Sequence, residues 1–197
     1  MARIQAEDWL KAGLELLRDQ GIDALRIDQL CARLKKTKGS FYHHFKDMNG
    51  YVGALLKRWG DLQTKAAIEV AETAADAKAR MALLDETVRH LDHRLDQIIR
   101  SWALRDPRAA QALEDVDRTR IAYLKKLLLE AGVREDRAAF MAELEYIAFL
   151  GAQQRYPDMN TPKAKALADG MHQVLRAWHQ QAIQDSAHEP ERGVASL

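Results

Sequence analysis

The sequence predicts an all-α fold, a three-helix N-terminal unit followed by a larger set of long helices. Three observations carry that expectation. Ala, Leu, Arg, Lys, Gln, Glu and Asp dominate the 197 residues, while runs of β-branched residues are nearly absent. Only four prolines and ten glycines interrupt the chain. Apolar residues recur at three- and four-residue steps, the period of a half-buried helix. With 47% hydrophobic residues the chain can bury a substantial core. Its longest apolar stretches, such as Ile147-Ala148-Phe149-Leu150, are far too short to span a membrane. The opening residues carry no apolar signal core and Cys31 is the sole cysteine, so a cytoplasmic setting without an internal disulfide is expected.

Taken in order, the first helix is expected over 5–20. Trp9, Ala12, Gly13, Leu16 and Leu17 make one stripe there, and Gly21 supplies a left-handed stop. Leu25, Ile27, Leu30, Cys31 and Leu34 mark a short second helix. Thr37 is placed to cap a third over 38–43, which turns Phe41 inward. Asp47 caps a fourth that runs through Tyr51, Leu55, Leu56 and Trp59 to Ala71. One long helix is expected over 76–104, with Met81, Leu84, Val88, Leu91, Leu95, Ile98, Ile99 and Trp102 on its apolar side. Asp106-Pro107 turns the chain, and further helices are expected over 116–130, 136–154 and 162–183.

Charge is unevenly spread. The net charge is +1, yet residues 33–46 hold Arg33, Lys35, Lys36, Lys38 and Lys46 with no acid among them. Such a cluster is either a footprint for a polyanion or a solvated basic face, and charge alone leaves both open. The third helix adds more. Lys38, Ser40, Tyr42 and His43 lie largely off the side that buries Phe41 and Phe45, and each can meet a phosphate or a base edge. Lys38 and Ser40 fall in the first helical turn, where free N–H groups favour phosphate. A glycine inside a short helix costs about 1 kcal/mol in propensity, and close approach of the backbone to a DNA strand gives Gly39 a reason.

Leu30-Cys31-Ala32-Arg33-Leu34-Lys35-Lys36-Thr37-Lys38-Gly39-Ser40-Phe41-Tyr42-His43-His44-Phe45-Lys46-Asp47 resembles the DNA-binding signature of the tetracycline-repressor (TetR) family. The resemblance covers about the first 55 residues. It implies a helix-turn-helix DNA-binding domain over 1–47, a helical effector-binding and dimerisation domain over 48–184, and a frayed tail over 185–197. DNA contacts are expected at Arg26, Lys36, Thr37, Lys38, Gly39, Ser40, Tyr42, His43, His44 and Lys46. The implied partners are double-stranded operator DNA, a second copy of the chain and a small-molecule effector, with no cofactor; repression is the family's usual mode. The last two major helices would form a four-helix dimer seam through Met141, Leu144, Ile147, Ala148, Gly151, Leu167, Met171, Val174, Leu175 and Trp178, with ordinary intramolecular core as the competing reading. Three positions depart from the family pattern. Lys35-Lys36 replace the usual Gly-Val, which puts a lysine under left-handed strain or changes the turn locally. Arg26 replaces a capping Ser or Thr, and Met48 replaces a lysine.

For the effector pocket the candidates are Tyr51, Trp59, His90, Arg94, Trp102 and Tyr123, each with ordinary core or surface as the competing reading. His90 and His93 are three residues apart, but no Cys or acid at ligand spacing joins them, so no metal site is expected. Cys31 falls at a small buried position of the motif, which favours packing over a redox role. Two other classes compete with the regulator. One is a helical ligand-binding or scaffold module without DNA function. The other is a helical enzyme using His90, His93 or Tyr123; no nucleophile–base pair, carboxylate pair or phosphate loop supports it, so no enzymatic activity is expected.

Overall fold

Residues 4–156, 158–159 and 161–188 are described by the computed structural model. Their regular structure is helical: α1 (Ala6–Gln20), α2 (Ile27–Leu34), α3 (Lys38–His44), α4 (Met48–Gly60), α5 (Ala66–Ala71), α6 (Ala77–Arg89), α7 (His93–Ala103), α8 (Pro107–Glu130), α9 (Glu135–Arg155) and α10 (Pro162–His188). A 3-10 turn covers Ile22–Ala24 and a π-turn covers Asp61–Lys65. The described residues divide into two compact units: those of 4–66 with 92–117, and those of 67–91 with 118–188.

In the first unit the apolar stripe of α1 meets α2, α3, α4 and α7. Trp9, Leu16, Leu17, Leu30, Phe41, Tyr51, Leu55, Trp59 and Ile99 are fully or almost fully buried in one cluster. The Tyr51 phenol donates to the Trp9 carbonyl oxygen at 2.8 Å, tying α4 to α1. Gly13 makes this possible, because a Cβ there would stand 2.0 Å from the Tyr51 oxygen. α1 ends at Gly21, whose positive φ (79°) was expected. Its ψ of −174° is extended, however, and not left-handed helical. In the second unit Leu128, Val133, Ala138, Met141, Ala142 and Ala182 form the core that joins α8, α9 and α10. Met141, expected at a dimer seam, therefore belongs to the protein's own interior. Among the described residues no helix is long and apolar enough to cross a membrane.

Three boundaries differ from expectation. The single helix over 76–104 is two helices, α6 and α7, separated at His90–Asp92. Asp92 Oδ1 accepts the Leu95 N–H at 3.0 Å, so this side chain opens a new helix instead of sitting within an old one. α8 starts at Pro107 rather than 116, since Asp106 Oδ1 accepts the Arg108 N–H at 2.9 Å and proline suits a first helical turn. α10 continues to His188, into the segment expected to fray; residues 189–197 lie outside the described residues.

The α1–α4 contact yields a prediction. Gly13→Ala should cost about 1–3 kcal/mol by overpacking, read as a lower denaturant midpoint at unchanged slope. Adding Tyr51→Phe removes the clashing oxygen, so the double variant should recover part of that loss. Strictly additive losses would contradict the packing described here.

Candidate nucleic-acid interface

The turn between α2 and α3 is built by backbone geometry. Lys35 adopts φ 52°, ψ 47°, the left-handed conformation anticipated from its place in the turn. The Lys35 N–H donates to the Ala32 carbonyl at 3.2 Å and the Lys36 N–H to the Cys31 carbonyl at 2.9 Å. These two bonds satisfy two of the free carbonyls at the end of α2 and fix the direction in which the chain leaves it. Thr37 Oγ1 then accepts the Ser40 N–H at 3.3 Å, and Asp47 Oδ1 accepts the Gly50 N–H at 2.8 Å, so both caps form as expected. Arg26 precedes α2 without a side-chain cap bond.

One ring sets which way α3 faces. Phe41 has no solvent exposure and lies 5.4 Å from Trp9 edge-to-face, 5.4 Å from Phe45 and 5.3 Å from Tyr51. With Phe41 and Phe45 buried, the helical period turns Gly39, Tyr42 and His43 away from the core; Lys38, at the first turn, and Lys46, beyond the end, are exposed as well. Tyr42 is 53% exposed. Arg26, Lys36 and Thr37 are exposed too, while Ser40 and His44 are half-buried. A Cβ on Gly39 would meet only Thr37 Oγ1, at an ordinary 3.7 Å, so packing within the chain does not call for glycine there.

The basic cluster is not uniformly available. Arg33 bonds Glu15 Oε2 at 3.0 Å and Asp19 Oδ2 at 3.2 Å, which makes it a clamp between α2 and α1. Lys38 Nζ lies 2.7 Å from Asp28 Oδ1. Lys35, Lys36 and Lys46 are exposed, and no ion pair involves them among the described residues. Cys31 is buried, and burial first, then the Asp28 charge, raise its thiol above the ordinary value. That environment disfavours a reactive thiolate.

The expected pocket residues are scattered in character. Trp59 and Trp102 are buried in the same core cluster, and the Trp59 indole N–H donates to the buried Asp96 Oδ1 at 2.9 Å. Tyr51 is committed to the Trp9 carbonyl. Tyr123 is buried in a separate cluster with Ala71 and Leu127, where burial and then the Glu72 carboxylate raise its phenol. His90 is 71% exposed beside Glu86, and Arg94 is also exposed. Among the described residues no group of three or more potential metal ligands occurs.

On α9 and α10 an apolar surface remains open. Phe140, Leu144 and Ile147 on α9 and Leu167 and Val174 on α10 are exposed, Val174 to 69%. Phe140 lies on the same helix as the expected seam residues Leu144 and Ile147, and its sequence context alone does not single it out. Gly151 and Gly170 lie inside these helices with nothing within 4 Å of where a Cβ would be.

Residues 10–55 match the family described as "Bacterial regulatory proteins, tetR family". No curated protein matches the chain. Solved structures do match. The reduced form of Escherichia coli NemR aligns with a TM-score of 0.73 at 17% identity, covering 86% of this chain and 96% of that one. A TetR transcriptional regulator from Legionella pneumophila gives 0.70 at 13% identity, covering 91% and 97%. Regulatory protein TetR from Rhodobacter sphaeroides gives 0.63 at 22% identity, covering 88% and 96%. These likenesses extend the shared fold well beyond the matched N-terminal segment.

Lys35 offers a direct check on the turn. A non-glycine residue in the left-handed region costs about 1–2 kcal/mol, partly offset by glycine's greater freedom when unfolded. Lys35→Gly should therefore raise stability by about 0.5–1 kcal/mol, visible as a higher thermal midpoint. A lower midpoint would mean that Lys35 gains more from its surroundings than it loses to strain.

Proposed function

Taking the chain as a TetR-like transcriptional regulator, with a tetR-family helix-turn-helix at residues 10–55, we propose that it is a cytoplasmic repressor. A small-molecule effector releases it from a palindromic operator. The observation that carries this reading is α3. Its inward side is locked by Phe41, while Lys38, Tyr42 and His43 stand outward around a glycine that packing within the chain does not require. Inserted in a major groove, such a helix presents Lys38 and Tyr42 to phosphates and the remaining outward positions to base edges. Lys36, Thr37, Gly39, Ser40, His44 and Lys46 line the same approach, and Arg26 serves the adjoining strand.

A second copy is the natural occupant of the open face on α9 and α10. Leu144, Ile147 and Gly151 recur at helical spacing, as do Leu167, Gly170 and Val174, and glycines let helices approach closely. The dimer would hold two α3 helices about 34–36 Å apart, one turn of B-DNA. By this division of labour residues 1–47 grip DNA and 48–184 sense the effector and dimerise. Trp59 and Trp102 are our leading candidates to report the effector, because both are buried in helices that follow α3. Tyr123, His90 and Arg94 are secondary candidates. The effector needs to favour one spacing of the reading heads by only about 1–3 kcal/mol, which changes operator affinity about 5- to 150-fold. No catalytic step is assigned.

The reading is tested by a mobility shift with fragments of the source genome. Wild type should retain a subset of fragments, with affinity falling steeply as salt rises. Gly151→Arg and Val174→Arg should give monomers or insoluble protein that retain none. A wild type that sediments as a monomer at micromolar concentration, or that holds no fragment at low salt, would overturn the proposal.

A further inference from the structure

The outward face of α3 carries its own competitor for phosphate. Lys38 opens α3, and its ammonium lies 2.7 Å from the carboxylate of Asp28, in the first turn of α2. The two side chains are 62% and 75% exposed, so their charges and not burial hold the pair together. The carboxylate hydrogen bond, and then its charge, keep the Lys38 ammonium above its ordinary value. Among the described residues, Lys35, Lys36 and Lys46 carry no such counter-ion. Of the exposed lysines on this side, the one that belongs to the reading helix is the one already partnered.

We propose that Asp28 is an intramolecular stand-in for a DNA phosphate, occupying Lys38 in the free protein and thereby lowering the affinity of the reading face for duplex DNA. The inference rests on the DNA-binding reading above. An ionised carboxylate offers an ammonium the same kind of charge-assisted hydrogen bond that a phosphate oxygen does. Lys38 must give up one to gain the other, so its net contribution to binding is the difference. Binding to non-specific DNA depends almost wholly on phosphate neutralisation. The pair therefore acts on the part of the affinity that is spread over all sequences, and it does so without reading a base. A staple role, in which the pair fixes α3 against α2, predicts the opposite sign, since losing it would loosen α3 and weaken binding. The buried Phe41 ring and the Thr37 cap already fix α3 without the pair.

The test uses the full chain and a random-sequence duplex of about 30 base pairs, long enough for two successive major grooves. Binding is followed by fluorescence anisotropy between about 50 and 200 mM salt. Asp28→Asn should bind about two- to fivefold more tightly than wild type, the range that an exposed ion pair spans. Most of that gain should vanish when Lys38 is already Ala. Asp28→Ser, which keeps a residue suited to a helix start, should reproduce the gain, and thermal melts should show both variants folded. Affinity that is unchanged or weaker in both variants, or a gain undiminished in the Lys38→Ala background, overturns the inference alone. Absence of wild-type binding at about 50 mM salt would instead overturn the DNA-binding reading itself, and the inference with it.

Discussion

Burial of the Phe41 ring is the constraint from which the DNA-binding head follows. α3 has only seven residues, and a helix that short is not stable by itself in water. It persists because one aromatic side chain is enclosed by Trp9, Phe45 and Tyr51, and because Thr37 caps its start. Removing a buried ring of this kind costs about 3–5 kcal/mol, a large part of the 5–15 kcal/mol typical of a domain. Once Phe41 is placed, helical geometry turns Gly39 and His43 to the opposite side. Tyr51 extends the same arrangement to α4 by bonding the Trp9 carbonyl across the gap left by Gly13. The aromatic cluster therefore positions α3 and couples it to the helix that follows.

Several residues that break local rules lie where the protein is proposed to meet a partner. Lys35 accepts a left-handed backbone at the turn into α3. Gly39 weakens α3 without relieving any contact inside the chain, and Gly151 and Gly170 do the same in α9 and α10. Sequences are expected to violate local preference where function outweighs stability. A DNA strand at Gly39 and a second copy at Gly151 and Gly170 would each supply the missing neighbour. Gly13, by contrast, is explained fully by Tyr51.

Local chemistry made the head legible from sequence. Thr37, Asp47 and the strained Lys35 are signals contained within three or four residues of the structures they make, and Phe41 announces its side by its identity. Longer-range features were hidden. Leu91 and Leu95 keep helical spacing across the break at His90–Asp92, so periodicity alone joins α6 to α7. Arg33 counts as a free cation until α1 brings Glu15 and Asp19 beside it. The partner of the Trp59 indole N–H, Asp96, lies far along the chain and carries no local signal. Phe140 escaped notice because an exposed phenylalanine reads as core in a one-dimensional pattern.

The central claim is that the outward side of α3 is the surface that meets DNA. Hydrogen exchange of the full chain, with and without a bound genomic duplex, tests it most directly. Backbone amides from Arg26 to Lys46 should exchange more slowly in the complex, including those of Gly39 and Ser40 at the start of α3. Slowing confined to other helices, with residues 26–46 exchanging at the same rate bound and free, would contradict the account.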